Sequence, residues 1–176
     1  MKEFVTFAKY NKDGDKTIYG ILDKLSNDER EKGRGSFYGS VSSLYRHALS
    51  GTIFFLGMYK EALKGNPAVE KALAPLEGIS LPKEQLTEAQ WKDLAAVSDT
   101  IDDAYINLVS ALSDSDLNAP LKINWYGGNP AEVPLSFMLS QLVMHGTHHR
   151  GQISQILDEL KIDNDYSGIQ IANLIK

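Results

Sequence analysis

The residues with the clearest capacity for chemistry are the histidines. Three of the four in the chain, His145, His148 and His149, lie within the stretch VMHGTHHRGQ, and the fourth, His47, lies far earlier in SSLYRHALSG. On a helix, residues four apart lie one turn above each other on the same face, so His145 and His149 can direct both imidazoles to one ion. A pair of nitrogens is incomplete, because structural and catalytic metal sites take at least a third protein ligand.

His47 is the natural candidate for that third ligand. Its neighbours on the same helix face indicate that it points to the core; they are Leu44, Gly51, Phe54 and Met58. A buried neutral imidazole needs partners for both ring nitrogens, and helix bundles build metal sites from side chains on facing helices. The histidines therefore predict a three-histidine metal site. The alternative is that they are packed in the core or exposed, with no metal.

The type of ligand limits the metal and its chemistry. Three neutral nitrogens without a carboxylate suit zinc, nickel, copper or iron(II). Such a site leaves a position for water or substrate, where a water molecule or a thiol would lose its proton more readily. The chain has no cysteine, so a reacting thiol would have to arrive as a cosubstrate. Acidification should weaken the site, because imidazole must be neutral to bind.

Two neighbours of the histidine pair are predicted to support the site. Gln152 falls on the face of His145 and His149, where it can orient His149 or a bound water. His148 is turned about 60° from His145, so it would flank the site as a proton carrier, a substrate contact, an interface residue or an exposed side chain. His145 with His148 is a rival ligand pair; we favour His149 because Gln152 and Met138 lie on its side of the helix.

Other polar residues receive simpler predictions. Arg150 is turned about 140° from His145, where it would bridge to a carboxylate or a partner subunit, or lie in solvent. Asp102 and Asp103 are adjacent in sequence and predicted to be solvated, and residues 23–34 (DKLSNDEREKGR) are predicted to form a solvated, mobile connection. No serine has the GxSxG context of a hydrolase nucleophile, and GSFYGS lacks the ending of a phosphate loop.

Hydrophobic periodicity predicts four long helices that would position these residues, at about residues 3–25, 36–63, 87–113 and 134–160. Thr87 and Gln90 form a capping-box signature, whereas Gly14 weakens the prediction for the first helix. A short helix is expected over residues 68–74, a β-hairpin around residues 121–130, and a short last helix in the tail from Tyr166. We predict one all-α domain over residues 1–176, a four-helix bundle with long crossover connections and a small β-hairpin before the last long helix.

Composition excludes several classes of function. The 176-residue chain has a net charge of -5 and a pI near 5.3, and it has no cluster of lysine and arginine, which argues against nucleic-acid binding. We see no signal peptide and no run long enough to span a membrane. The expectation is a soluble protein of the cytoplasm.

The stretch RGSFYGSVSSLYRHAL, followed by HGTHHRGQI, resembles the DinB-like (damage-inducible protein) family of metal-binding four-helix bundles. The resemblance covers essentially the whole chain. It implies a homodimer that holds one divalent ion, zinc or nickel, through His47, His145 and His149. Relatives with assigned activities are metal-dependent thiol S-transferases that use bacillithiol, and a mycothiol-dependent isomerase.

Around the ligands the sequence departs from the common family pattern. Thr52 stands where Asp is usual, Phe55 where Trp is frequent, Met144 in place of Asn and Gln141 in place of His. These changes alter the polarity beside the site, so Thr52, Gln141, His148 and Gln152 are the expected substrate-side or supporting residues.

The leading hypothesis is a metal-dependent transferase with a small-molecule substrate and a thiol cosubstrate, or a hydrolase. The alternative is a non-catalytic bundle stapled by its metal that acts as a dimeric structural or sensor module.

Overall fold

The structure is a computed structural model, and it describes residues 2–124 and 129–165. Four long helices carry most of the described chain. In chain order the elements are α1 (Lys2–Leu22), α2 (Asn27–Glu31), α3 (Val41–Ala62), α4 (Pro67–Leu73), α5 (Glu88–Ala111), β1 (Pro120–Ile123), β2 (Ala131–Pro134) and α6 (Leu135–Glu159). The predicted short last helix falls on residues 166–176, outside the described residues.

The long helices form a bundle in which α1 lies diagonal to α3, and α5 lies diagonal to α6. Helix α1 packs against α5 and α6, and helix α3 packs against the same two helices. The chain must therefore cross the end of the bundle between α1 and α3, and again between α5 and α6. The all-α architecture with its small hairpin is as predicted.

Side-chain caps set where several helices begin. The Thr87 hydroxyl accepts the amide of Gln90, and the Gln90 side chain accepts the amide of Thr87, so the predicted capping box of α5 is present. Helix α3 starts at Val41, later than predicted, because Ser40 caps it by accepting the amide of Ser43. The preceding residues form a tight turn in which Gly39 has a positive φ of 79°, a conformation that disfavours side chains.

The hairpin between α5 and α6 is antiparallel. Leu121 pairs with Val133 and Ile123 with Ala131, and both Leu121 and Ile123 are buried, as the alternation of the sequence predicts. The residues at its tip, 125–128, lie outside the described part of the chain. The hairpin leads directly into α6, whose first residue, Leu135, is fully buried.

The connection between α1 and α3 corrects a prediction. Residues 23–34 were predicted to be solvated and mobile, but they include α2, and Arg30 on this helix is only 1% exposed. The guanidinium of Arg30 lies 4.7 Å from the ring centre of Trp91, donates to the carbonyl of Leu25 and pairs with Glu88. A cation–π contact and an ion pair therefore bury a charge that the mixed composition suggested would be in water.

A polar layer divides the core of the bundle into two apolar clusters. One cluster surrounds Tyr59 and Leu139, and the other surrounds Trp91 and Ile153. Along each long helix, buried polar residues separate the members of one cluster from those of the other; they include Asn11, Asp15, Thr52, Asp102, His149 and Arg150. The candidate site lies in this layer. None of the helices in residues 2–124 and 129–165 combines the length and the apolar character that crossing a membrane requires.

The cap of α5 gives a test of the fold. Thr87→Ala removes the hydroxyl that accepts the Gln90 amide, and it should lower the free energy of unfolding by about 1 kcal/mol, measured by urea denaturation. Thr100→Ala on the same helix is the control, because its hydroxyl donates to the carbonyl of Ala96 and caps no helix end. An equal loss in both variants would contradict the capping role.

Candidate metal site

Three histidines from two helices meet in the polar layer. His47 lies on α3, and His145 and His149 lie one turn apart on α6. One ring nitrogen from each lies within 4.8 Å of the other two. His149 is buried, and the other two are half-buried. The structure therefore brings together the three residues that the sequence selects as candidate ligands.

Gln152 fixes the tautomer of His149. The Nδ1 atom of His149 lies 2.7 Å from Oε1 of Gln152, and because an amide oxygen can only accept, Nδ1 carries the proton and donates it. The lone pair of His149 is then on Nε2, which lies 3.1 Å from Nε2 of His145. This direct contact is consistent with the predicted role of Gln152 in orienting His149.

The geometry of the cluster fits a divalent ion. Two nitrogens bound to one tetrahedral zinc ion are separated by roughly 3.3 Å, given Zn–N bonds of about 2.0–2.1 Å. The Nε2 atoms of His145 and His149 are at nearly that distance. The Nδ1 atom of His145 is buried and has no hydrogen-bond partner among the described residues. No hydrogen bond from those residues to Nδ1 therefore sets the orientation of the ring.

Gly51 makes room for His145. It lies one helical turn after His47 on α3, and a Cβ atom built at Gly51 would lie 2.2 Å from Cε1 of His145. No side chain fits there unless the imidazole moves. The sequence does hint at this residue, because Gly51 follows His47 by four positions and so lies on the same helix face. Periodicity, however, does not show how closely two helices approach each other.

Burial keeps the imidazoles neutral. Desolvation lowers the pKa of His145 to about 4, helped by the neighbouring histidines, and desolvation also lowers the pKa of His47 and of His149. Neutral imidazole is the form that binds a metal. The three rings are therefore in the metal-binding form at neutral pH. Protons compete with a metal for them at a lower pH than they would for free imidazole.

Tyr38 covers one side of the cluster. Its ring centre lies 4.3 Å from that of His47 and 5.4 Å from that of His149. Tyr38 comes from the turn before α3, and sequence analysis did not assign it a role, because a turn residue has no helical face to read. The FYG context within the motif that precedes His47 was the available signal.

The other side of the cluster opens into a cavity. This cavity has a volume of about 340 Å³. His47, Gly51 and His145 line it on the side of the cluster, and Phe54, Phe55, Ser50 and Gln141 complete its wall. Gln141 is thus beside the site, where the sequence expectation puts a substrate-side residue.

Two other expected neighbours lie apart from this cavity. Thr52 is buried, and its hydroxyl donates to the carbonyl of Ala48 within α3. His148 is exposed, and its ring centre lies 5.0 Å from that of His149. Neither belongs to the group of three converging histidines, so His148 flanks the cluster as helix geometry predicts.

Arg150 extends the polar layer from α6 to α1. It is 4% exposed, and its Nη1 atom donates to Oδ1 of Asn11 at 2.7 Å and lies 3.5 Å from Oδ1 of Asp15. The side-chain amide of Asn11 donates in turn to Asp15 and to Asp102, each at 3.1 Å. Of the alternatives for Arg150, the structure gives the bridge to a carboxylate.

The prediction that Asp102 is solvated is wrong. Asp102 is 1% exposed, because α5 turns it towards Asn11, while the adjacent Asp103 is exposed and pairs with Lys12. Gly14, which weakened the prediction for α1, lies inside an unbroken helix. A Cβ atom built there would lie 3.1 Å from Cδ of Arg150, so this glycine admits the arginine stem.

Burial raises the pKa of both carboxyl groups in the polar layer. Desolvation raises the pKa of Asp15 to about 6, although Arg150 and Asn11 oppose the rise. Desolvation and the neighbouring Asp15 raise the pKa of Asp102 well above its usual value. Arg150 is thus the cation that faces this pair, and it favours the charged form of Asp15 against the effect of burial.

The fold and the cluster define a helical bundle with a three-histidine group that can hold a metal ion. The chain belongs to the DinB family, whose model matches residues 1–160. No curated protein matches the chain significantly. A search of solved structures likewise gave no match.

Replacing the buried arginine should have a pH-dependent cost. Arg150→Met should lower the free energy of unfolding at pH 8 by about 3 kcal/mol, since it leaves the Asp15 carboxylate buried without its cation. The loss should shrink at pH 5. The folded-state pKa of Asp15 lies above its unfolded value, so ionisation of this carboxyl destabilises the fold as the pH rises. Removing Arg150 raises the folded-state pKa further, so the variant loses most stability at the pH where Asp15 is ionised.

Urea denaturation at both pH values measures this difference. Lys92→Met is the control, because Lys92 pairs with Asp23 at the surface and its loss should have little effect at either pH. An equal loss for Arg150→Met at pH 5 and pH 8 would show that the arginine does not compensate Asp15.

Proposed function

We propose that the chain binds one divalent metal ion through His47, His145 and His149 and uses it to act on a small molecule, with thiol S-transfer as the class of reaction. The observation that carries the proposal is the convergence of three imidazole nitrogens beside an open cavity. A divalent ion held there would supply Lewis acidity, which favours the deprotonated form of a thiol or of water.

The protein's own residues prepare the site in separate ways. Gln152 holds His149 with its Nε2 lone pair towards His145, and Gly51 admits the His145 ring. Tyr38 shields the rings of His47 and His149 on one side, so a ligand approaches from the cavity. The thiol must be a cosubstrate, because the chain has no cysteine. Zinc and nickel are the metals that we expect.

A second candidate is a structural role for the ion. His47 and His145 belong to helices that are far apart in sequence, so an ion held by both would staple α3 to α6. The unfolded chain has no preformed site, and metal binding would therefore stabilise the fold whether or not catalysis occurs. A thiol-transfer screen on the metal-loaded protein, with metal-free protein as the blank, separates the two. Metal-dependent consumption of a thiol supports the first candidate, and metal binding without turnover supports the second.

Metal content tests the ligand assignment. The purified protein should bind one equivalent of zinc or nickel per chain, and His149→Ala should weaken binding by more than about a hundredfold, since changes behind a ligand alone cost about 10–100-fold. His148→Ala is the matched control, and it should keep near-full occupancy. The reverse result would show that α6 presents His145 and His148 to the metal.

Chelation tests the staple. Removal of the ion should lower the melting temperature, because a ligand present at a hundred times its dissociation constant stabilises a fold by about 2.7 kcal/mol. An unchanged melting temperature after demonstrated metal loss would rule out the structural contribution.

Gly51 allows a test that leaves every ligand in place. Gly51→Ala should displace His145 and reduce metal affinity at least tenfold, because its methyl group would collide with the imidazole. Gly57→Ala on the same helix is the control, since a Cβ atom there meets nothing within 4 Å. Isothermal titration with zinc measures both. Unchanged affinity in Gly51→Ala would mean that the bound state does not use the close approach of His145 to α3.

The homodimer that the resemblance implies stays a prediction. Sedimentation or light scattering should give twice the 19.5 kDa mass of one chain. A monomer at micromolar concentration would contradict it.

A further inference from the structure

The cavity beside the histidine cluster differs in character from its neighbour. Both cavities are lined by His47 and Ser50. The first, of about 340 Å³, has an aromatic wall built from Phe54 and Phe55. The second, of about 410 Å³, is lined in part by Arg46 and Lys83.

The described residues that line the aromatic cavity carry no charged side chain, since its histidines are neutral. Among the described residues that line it, no Asp, Glu, Lys or Arg occurs, and the non-histidine polar groups are those of Ser50 and Gln141. At the Phe54 end of the cavity, away from the histidine centre, a carboxylate or phosphate would lose part of its hydration and meet no lysine or arginine among the described residues. An uncharged ring or alkyl group would instead bury apolar surface.

Phe54 is the residue of this wall whose exposed ring could contact a ligand. It is 55% exposed, although it lies one turn beyond Ser50 and lines the same cavity as His145. Phe55, the adjacent residue, is 5% exposed and its ring centre lies 5.5 Å from that of His145. Phe55 thus packs from the core against His145, a candidate metal ligand. Phe54 exposes part of its ring at the mouth of the cavity.

We infer that this cavity selects an uncharged small molecule with an aromatic or other apolar group, and that Phe54 is a specificity-determining residue for it. The inference rests on the proposed function, because the reacting end of the molecule would reach the histidine centre. Charged parts of a ligand are excluded from the Phe54 side.

Cobalt(II) provides a readout that does not need turnover. Because the chain has no cysteine, a thiolate-to-cobalt charge-transfer band can arise only from an added thiol. The probes are phenylmethanethiol, its 4-carboxylate, which has the same ring and an added charge, and 2-mercaptoethanol, which has no ring. Phenylmethanethiol should bind to the cobalt-loaded protein at least tenfold more tightly than either of the others.

Phe54→Ser should reduce this preference about tenfold, by removing the apolar surface that the ring would bury. Phe137→Ser is the matched control: Phe137 is 51% exposed on α6 and does not line the cavity, so its loss should leave the preference unchanged. The solution mass of each variant is measured in parallel.

The outcomes are distinct. Bands with all three thiols at similar affinity, or tighter binding of the carboxylate, would overturn the inference and leave the metal centre in place. A change in solution mass for Phe54→Ser with the preference retained would make this surface a contact between subunits, and would also overturn it. Absence of a band with any thiol would overturn the proposed function together with the inference.

Discussion

The buried guanidinium of Arg150 is the interaction on which the middle of the bundle depends. It lies next to His149 in sequence, and it reaches α1 through Asn11 and Asp15. This contact fixes the rotation of α6 about its own axis, because the arginine must face α1. Once that rotation is set, His145 and His149 face α3, and the histidine cluster follows from the same constraint.

Close approach of backbones completes the layer. Gly14 on α1 gives space to the arginine stem, and Gly146 on α6 gives space to Asn11, since a Cβ atom there would lie 2.7 Å from Oδ1 of Asn11. Gly51 on α3 does the same for His145. Each of these three glycines, on three different helices, thus leaves the space that a polar side chain of another helix occupies. Each lowers the helix propensity by roughly 1 kcal/mol relative to alanine.

The sequence predicts what periodicity can express. The four long helices, the Thr87 capping box and the inward face of His145 and His149 follow from spacing alone, because side chains repeat at fixed angles along a helix. Spacing within one element carries no information on distances between elements. For that reason Asp102 was placed in solvent and Tyr38 was missed, and the fit of Gly51 against His145 became visible only with α3 and α6 in position. Arg30 was missed for a related reason, since its aromatic partner lies on a helix distant in sequence.

The division of the core has a consequence for how the protein opens. Each end of the bundle holds its own helices together through one apolar cluster. Apart from Leu76, which packs against both, the polar layer separates the two clusters. Such regions exchange their amide hydrogens as separate cooperative units. We therefore expect the two ends of the bundle to loosen as separate units, so that one can open while the other keeps the helices in register.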